Sequence, residues 1–195
     1  MVVGAGLTAC AGSGYTHLSS KSTRTFLKVP DDWKVFDKEQ VLSNPSPYLV
    51  SDKNDRFLVA FDAAPTPSLK HSFVDGDYPF GQVRVRELDL QEHDQYSFST
   101  LRNEFIPLDS LLEQNAESVE LLAPARLLTR DGLRGSQLEY AVHLDKGTFT
   151  INQVGFVDTA THTVWFIAVG CSDKCYRQHK ADIHRVIDSW TVEGK

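Results

Sequence analysis

The sequence predicts an α+β domain, an α/β/α sandwich around a central antiparallel sheet. Three observations carry that expectation. The second half of the chain alternates strand-like runs with short turns at Asp131-Gly132, Asp145-Lys146-Gly147 and 158–161, the pattern of consecutive hairpin-linked strands. Residues 163–169 are nearly all apolar, as a central strand covered on both faces must be. Tyr176, Ile183, Val186, Ile187 and Trp190 then recur at helical spacing, with Arg177, Lys180, Asp182, Arg185 and Asp188 on the wet side. Hairpin-linked strands followed by a terminal amphipathic helix give an antiparallel sheet with helices on it, and a sheet apolar on both sides needs a layer on each face.

The elements follow in order. Phe26-Leu27-Lys28-Val29-Pro30 reads as a short strand closed by proline, Asp31-Asp32 as a turn, and Trp33-Lys34-Val35-Phe36 as a second strand. Residues 43–54 form a loop around Pro45 and Pro47. The run Phe57-Leu58-Val59-Ala60-Phe61 is a buried strand. Residues 62–79 make a second long loop with Pro65, Pro67, Gly76 and Pro79, and Val83, Val85 and Leu88 then mark an alternating strand. Ser97 or Ser99 caps a helix bearing Phe98, Leu101 and Phe105 and ended by Pro107. Ser110-Leu111-Leu112-Glu113 has capping-box spacing and starts a second short helix. Residues 119–130 read as a strand broken at Pro124. Leu138, Tyr140, Val142 and Leu144 share one strand face. Phe149 and Ile151 are out of phase with Val154 and Phe156, which predicts a β-bulge near Asn152-Gln153. Ser172 or Asp173 caps the terminal helix.

The composition bounds the function. A chain of 195 residues is one domain's worth, enough to bury roughly 70% of its unfolded surface without staples. At 41% hydrophobic and 24% charged it is neither collagen-like, nor a coiled coil, nor a long disordered chain. With 20 Lys and Arg against 26 Asp and Glu, the net charge of −6 argues against a nucleic-acid binder. No run of about 18 apolar residues occurs, so no transmembrane helix is expected.

The N-terminus reads as an address. Leu7-Thr8-Ala9-Cys10 has the form of a bacterial lipobox: Leu, two small residues that fit a signal-peptidase cleft, then the cysteine to be acylated. Residues 1–9 are apolar and small but carry no basic opening, and are read as a partial lipoprotein signal peptide. Residues 10–25, AGSGYTHLSSKSTRT after the cysteine, are rich in Gly, Ser and Thr and are read as the lipidated Cys10 and a flexible tether, with the domain proper at 26–195. Two acyl chains on Cys10, at about 0.8 kcal/mol per buried CH₂, would hold the protein on a membrane. The alternative is a chance LTAC in a short cytosolic terminus.

Cys171 and Cys175 are four apart at a strand-to-helix junction, where their α-carbons would lie about 6 Å apart, within disulfide range. Export would permit oxidation. The alternatives are a reduced pair, or half a metal site with His179 four residues on. The seven histidines are otherwise scattered; His184 and Asp188 are placed to touch on the terminal helix, and His143 lies on a polar strand face. The acidic run Asp75, Asp77, Glu87, Asp89, Glu92 and Asp94 reads as a solvated edge rather than a cation site. No G-x-S-x-G elbow and no glycine-rich phosphate loop occurs in the domain, and no catalytic residue, metal or cofactor is assigned. The aromatic residues are read as core rather than pocket lining.

Phe26-x-x-Val29-Pro30-x-x-Trp33 resembles the first hairpin of PsbP-like domains. The apolar strand leading through Gly170-Cys171-Ser172 into a last helix ending Ile187-Asp188-Ser189-Trp190 resembles their close. Over roughly residues 25–192 the chain resembles actinobacterial cell-envelope lipoproteins of the LpqN type. The resemblance implies an α/β/α sandwich and a binding or accessory role rather than catalysis. The expectation is a lipid-anchored protein on the extracytoplasmic face of the cell membrane, working through its sheet edges and Pro-rich loops on an envelope protein or ligand. One alternative is a carrier of a lipid or cell-wall intermediate in a closed cavity of several hundred Å³ between sheet and helices. The other is a small envelope enzyme, which would need titratable groups converging in a cleft.

Overall fold

The expected antiparallel sheet is present, with eight strands and helices on both faces. The computed structural model describes residues 14–44, 49–71, 76–160 and 162–194. In chain order the elements are β1 (Tyr15–Ser20), β2 (Thr25–Pro30), β3 (Lys34–Phe36), α1 (Lys38–Ser43), β4 (Phe57–Asp62), β5 (Phe80–Glu87), α2 (Leu90–His93), α3 (Phe98–Arg102) and α4 (Leu108–Gln114). Then come β6 (Val119–Leu121), β7 (Arg126–Arg130), β8 (Leu133–Leu144), β9 (Gly147–Asp158), β10 (Thr163–Ser172), α5 (Asp173–Ser189) and β11 (Thr191–Val192). The large sheet runs β3-β4-β5-β10-β9-β8-β6, with β7 also on β8, and every pairing is antiparallel.

The strand apolar on both sides is β10, at the middle of that order. Its Trp165, Ile167 and Val169 point to one face and Phe166 and Ala168 to the other, and all five are buried. The first face is covered by α5. Ser172 caps that helix by accepting from the Cys175 N–H at 3.3 Å. Its Ile183, Val186 and Ile187 are almost fully buried, each worth roughly 2 kcal/mol. The second face carries α1 and α4, with Val41 and Leu108 against Leu58, Tyr140 and Ile151. The hairpin turn at Asp131-Gly132 has φ of 37° and 78°, the left-handed pair that matches strand twist.

Several expectations change. Residues 15–20 are not tether: β1 pairs with β2 over its full length and buries Leu18 and Ser20. A Ser- and Thr-rich segment can form a strand when the backbone ladder supplies the bonds and one apolar side chain reaches the core. The domain boundary at residue 26 therefore moves back to at least Tyr15. β1, β2 and β11 form a separate three-stranded sheet beside α5, so β2 and β3 are not a hairpin pair; they belong to different sheets. The indole N–H groups of Trp165 and Trp190 fasten this sheet, donating to the Thr23 carbonyl at 2.7 Å and the Thr25 hydroxyl at 2.9 Å.

The bulge at Asn152-Gln153 is absent: β9 pairs with β8 and β10 in unbroken register. The phase change in its sequence has another cause, since both faces of β9 are buried, Ile151 on one and Val154 with Phe156 on the other. Ser110 does not start a helix either. It lies inside α4, which begins at Leu108 after Pro107, while α3 ends at Arg102 rather than at the proline. The reciprocal caps are at Asp37–Gln40, Asp89–Glu92 and Ser97–Thr100; the first opens α1, in a stretch given no element, and the second opens α2, within the acidic run read as an edge.

Candidate functional site

Large apolar side chains left in water mark where the fold has unfinished business. Leu127 is 73% exposed, Leu121 55%, Phe98 40% and Leu112 39%, and all four line one groove. It runs between α3–α4 and the β6–β7 edge of the large sheet, encloses about 390 Å³, and has Leu108 and Leu138 at its base. Ser97 holds the start of α3 in place by accepting from the Thr100 N–H at 3.2 Å. Asn103 and Asp109 lock α3 to α4: the Asn103 amide donates to the Asp109 carboxylate at 2.8 Å and accepts from the Asp109 N–H at 3.0 Å. Arg102 pairs with the same carboxylate. The Asn103 amide, Ser99 hydroxyl and Arg102 together hold the Asp109 carboxyl below its usual range. At one end the Arg134 guanidinium stacks 6.0 Å from the centre of the Phe98 ring. The groove is thus a rigid apolar trough with cations at its margin.

The sequence reading placed Phe98 in the core and gave no role to Leu121, Leu122, Leu127 and Leu128. The signal was there: two Leu-Leu pairs around Ala123-Pro124-Ala125 make a strand apolar on both faces, yet short and next to a proline that ends pairing. The carrier alternative requires a closed cavity between sheet and helices; on this face the structure has an open groove.

The residues singled out in the sequence scatter. Cys10 lies outside the described residues. Cys171 and Cys175 are bonded, with α-carbons 5.9 Å apart, at the junction of β10 and α5. Both are buried. Closing so short a loop restricts the unfolded chain little, so full reduction is expected to lower stability by about 2 kcal/mol. Urea titrations with and without a strong reductant measure the difference, and equal midpoints would contradict it. His179 sits 3.9 Å from Asp182, and His184 turns to Glu139 of β8 at 3.5 Å, where Lys180 also pairs at 2.8 Å. His143 lies at the surface near Glu120. Of the acidic run, Asp89 caps α2, Glu87 pairs with Arg56 and Glu92 with Arg86, while Asp75 lies outside the described residues. Among the described residues no group of three or more His, Cys, Asp or Glu could hold a metal ion.

Two histidine arrangements were not visible in the sequence. His93 and His162 stack with ring centres 4.6 Å apart. Asp62, fully buried, accepts from the Ala64 and Ser68 N–H groups and bonds the His71 ring at 2.8 Å. That pair is the carboxylate–imidazole half of a hydrolase relay, but no described hydroxyl or thiol bonds to the ring, and Asp62 serves to pin the 62–71 loop.

No family model matches the chain, and no curated protein matches it. Solved structures do. The solution structure of a cyanobacterial PsbP from Synechocystis superposes with a TM-score of 0.54 at 16% identity, covering 95% of this chain and 98% of that one. The crystal structure of LpqN, described as involved in cell envelope biogenesis of Mycobacterium tuberculosis, gives a TM-score of 0.50 at 14% identity, covering 94% and 87%. At these identities the likeness establishes the PsbP-like fold and nothing finer.

Proposed function

We propose that the chain is a non-catalytic binding module of a bacterial cell envelope, anchored by acyl chains on Cys10, that takes an apolar portion of its partner into the α3–α4/β6–β7 groove. The observation that carries this is the convergence of Leu127, Leu121, Phe98 and Leu112, all substantially exposed, on one trough. The envelope reading is supported by Leu7-Thr8-Ala9-Cys10 and by the fold shared with LpqN. It is also supported by the buried Cys171–Cys175 pair, which an oxidising compartment would maintain. β1 begins five positions after Cys10, so the anchor allows at most roughly 18 Å of extended chain before the domain. Such a domain works close to the bilayer.

Two measurements test this. Labelled palmitate should enter the chain in its bacterial host and fail to enter Cys10→Ala; equal labelling of both overturns the anchor. The dye anilinonaphthalene sulfonate should bind the native domain with enhanced emission, and Leu121→Asp with Leu127→Asp should remove that emission while the fold, followed by circular dichroism, persists. Unchanged emission overturns the groove as the binding surface. A second reading, a carrier of a lipid or cell-wall intermediate, is favoured by the same apolar lining. It predicts that a long-chain fatty acid displaces the dye, whereas an apolar peptide does not.

A further inference from the structure

One wall of the groove is an open strand edge. β7 pairs with β8 on one side, and no described residue pairs with its other side. In an antiparallel ladder alternate residues turn their N–H and C=O toward and away from the partner strand. Arg130 and Leu133 close the two-residue turn and point inward, so Leu127 and Thr129 offer their backbone groups outward. The side chains alternate as well. Leu127 enters the groove, while Leu128 on the opposite face packs against the main core, with Arg126 and Arg130 on either side of it. Both arginines are exposed, and among the described residues neither meets a carboxylate; Arg126 bonds only the Gln137 side-chain oxygen, at 3.1 Å. In a chain of net charge −6, this edge is cationic.

Resting on the binding reading above, we propose that the outer edge of β7 receives an extended peptide segment of the partner as an added strand. Its apolar side chains enter the groove beside Leu127, and its acidic side chains meet Arg126 and Arg130. Strand addition draws affinity from the backbone ladder and specificity from alternate side chains, and this edge supplies both sets. A second copy of the chain is a poor occupant. Antiparallel pairing of Arg126-Leu127-Leu128-Thr129-Arg130 with itself about Leu128 sets Arg126 opposite Arg130 at both ends, and like charges directly opposite destabilise a ladder. The arginines therefore guard the edge against self-association while selecting an acidic strand.

The probe is the fluorescein-labelled amide Glu-Val-Thr-Val-Glu, compared with Lys-Val-Thr-Val-Lys, on the full chain by fluorescence anisotropy. The glutamate probe should bind about tenfold more tightly than the lysine probe, as two exposed ion pairs allow. Arg126→Glu with Arg130→Glu should invert that preference. Thr129→Pro, which removes an outward N–H from an edge strand, should abolish probe binding and leave anilinonaphthalene sulfonate emission intact. Independently, Arg130→Glu alone should raise self-association in sedimentation, because Arg126 then faces the introduced carboxylate of a second copy. Equal binding of the two probes, no inversion, or a proline variant that still binds overturns strand addition while leaving the groove reading in place. Displacement of the probe by a fatty acid, with no charge preference, would assign the groove to a lipid instead. Loss of dye and probe together from the wild type would fell both readings.

Discussion

Glu104→Ala is expected to destabilise the domain by about 4 kcal/mol, or roughly 12 °C in Tm for a chain of this size. Glu104 is 6% exposed at its side chain and stands between two arginines of β5: Arg86 at 2.6 Å and Arg84 at 3.6 Å. The Tyr96 hydroxyl donates to it at 2.7 Å. Asp55, fully buried, holds the other side of Arg84 at 2.7 Å, and Glu92 holds Arg86 at 2.9 Å. Burial alone would ease the proton from Arg86, but the bonds from Glu104 and Glu92 outweigh it and hold the guanidinium charged. Burial, and then the Glu104 charge beside it, push the Tyr96 hydroxyl up, so it remains a donor. Removing Glu104 strands two desolvated guanidinium groups with one carboxylate each and leaves the Tyr96 O–H without an acceptor, which is why the cost exceeds that of any single bond.

Tyr96→Phe removes one bond only and should cost about 1 kcal/mol. In the Glu104→Ala background it should instead recover part of the loss, because the buried hydroxyl it removes has already lost its acceptor. Urea titrations of the four chains measure the cycle; a Glu104→Ala midpoint near that of the wild type would contradict the network's role. The network lies between the sheet and the segment carrying α2 and α3. The loss of dye binding to the groove should therefore precede global unfolding in the variant.

The parts of the fold that read well from sequence are those fixed by burial on two faces. β10 could be nothing but a central strand, because each of its residues from Val164 to Val169 is buried. The stripe of α5 followed from the same logic at period 3.6. What did not read was set by polar groups acting on the backbone. β1 looked like tether because Tyr15-Thr16-His17-Leu18-Ser19-Ser20 holds a single aliphatic residue, yet its ladder to β2 decides its state. α1 and α2 are too short for a hydrophobic period and exist by virtue of their Asp caps. The bulge failed for the reverse reason: two buried faces imitate a slip in phase. The groove stayed hidden because it is a relation between elements. Phe98 on α3 and Leu127 on β7 are distant in sequence, and neither is unusual until the short strands after Pro124 leave that edge uncovered.

Gly81→Ala is expected to cost about 3 kcal/mol, from a single added methyl. On β5, Gly81 is paired with Phe61 of β4, and the Phe61 ring lies across it. A Cβ built at position 81 would stand 2.0 Å from Phe61 Cε2 and 2.4 Å from Cζ, inside any tolerable contact. The ring has nowhere to go. Phe61 is fully buried, its ring centre 6.0 Å from that of Trp33, in the cluster that also seats α5. A surface side chain could swing aside, but a close-packed interior transmits the displacement to its neighbours. The clash has a specific remedy, which separates it from a general glycine effect. Phe61→Leu shortens the side chain over the glycine and should by itself cost about 1–2 kcal/mol as lost apolar contact. If steric overlap with the ring is the cause, Gly81→Ala in the Phe61→Leu background should cost less than half of what it costs in the wild type, a favourable coupling of more than about 1 kcal/mol. If the cost of Gly81→Ala instead arises away from the Phe61 ring, the two substitutions should add. Denaturant midpoints of the two single variants and the double variant decide between these, and strict additivity would rule out the ring overlap as the reason position 81 is glycine.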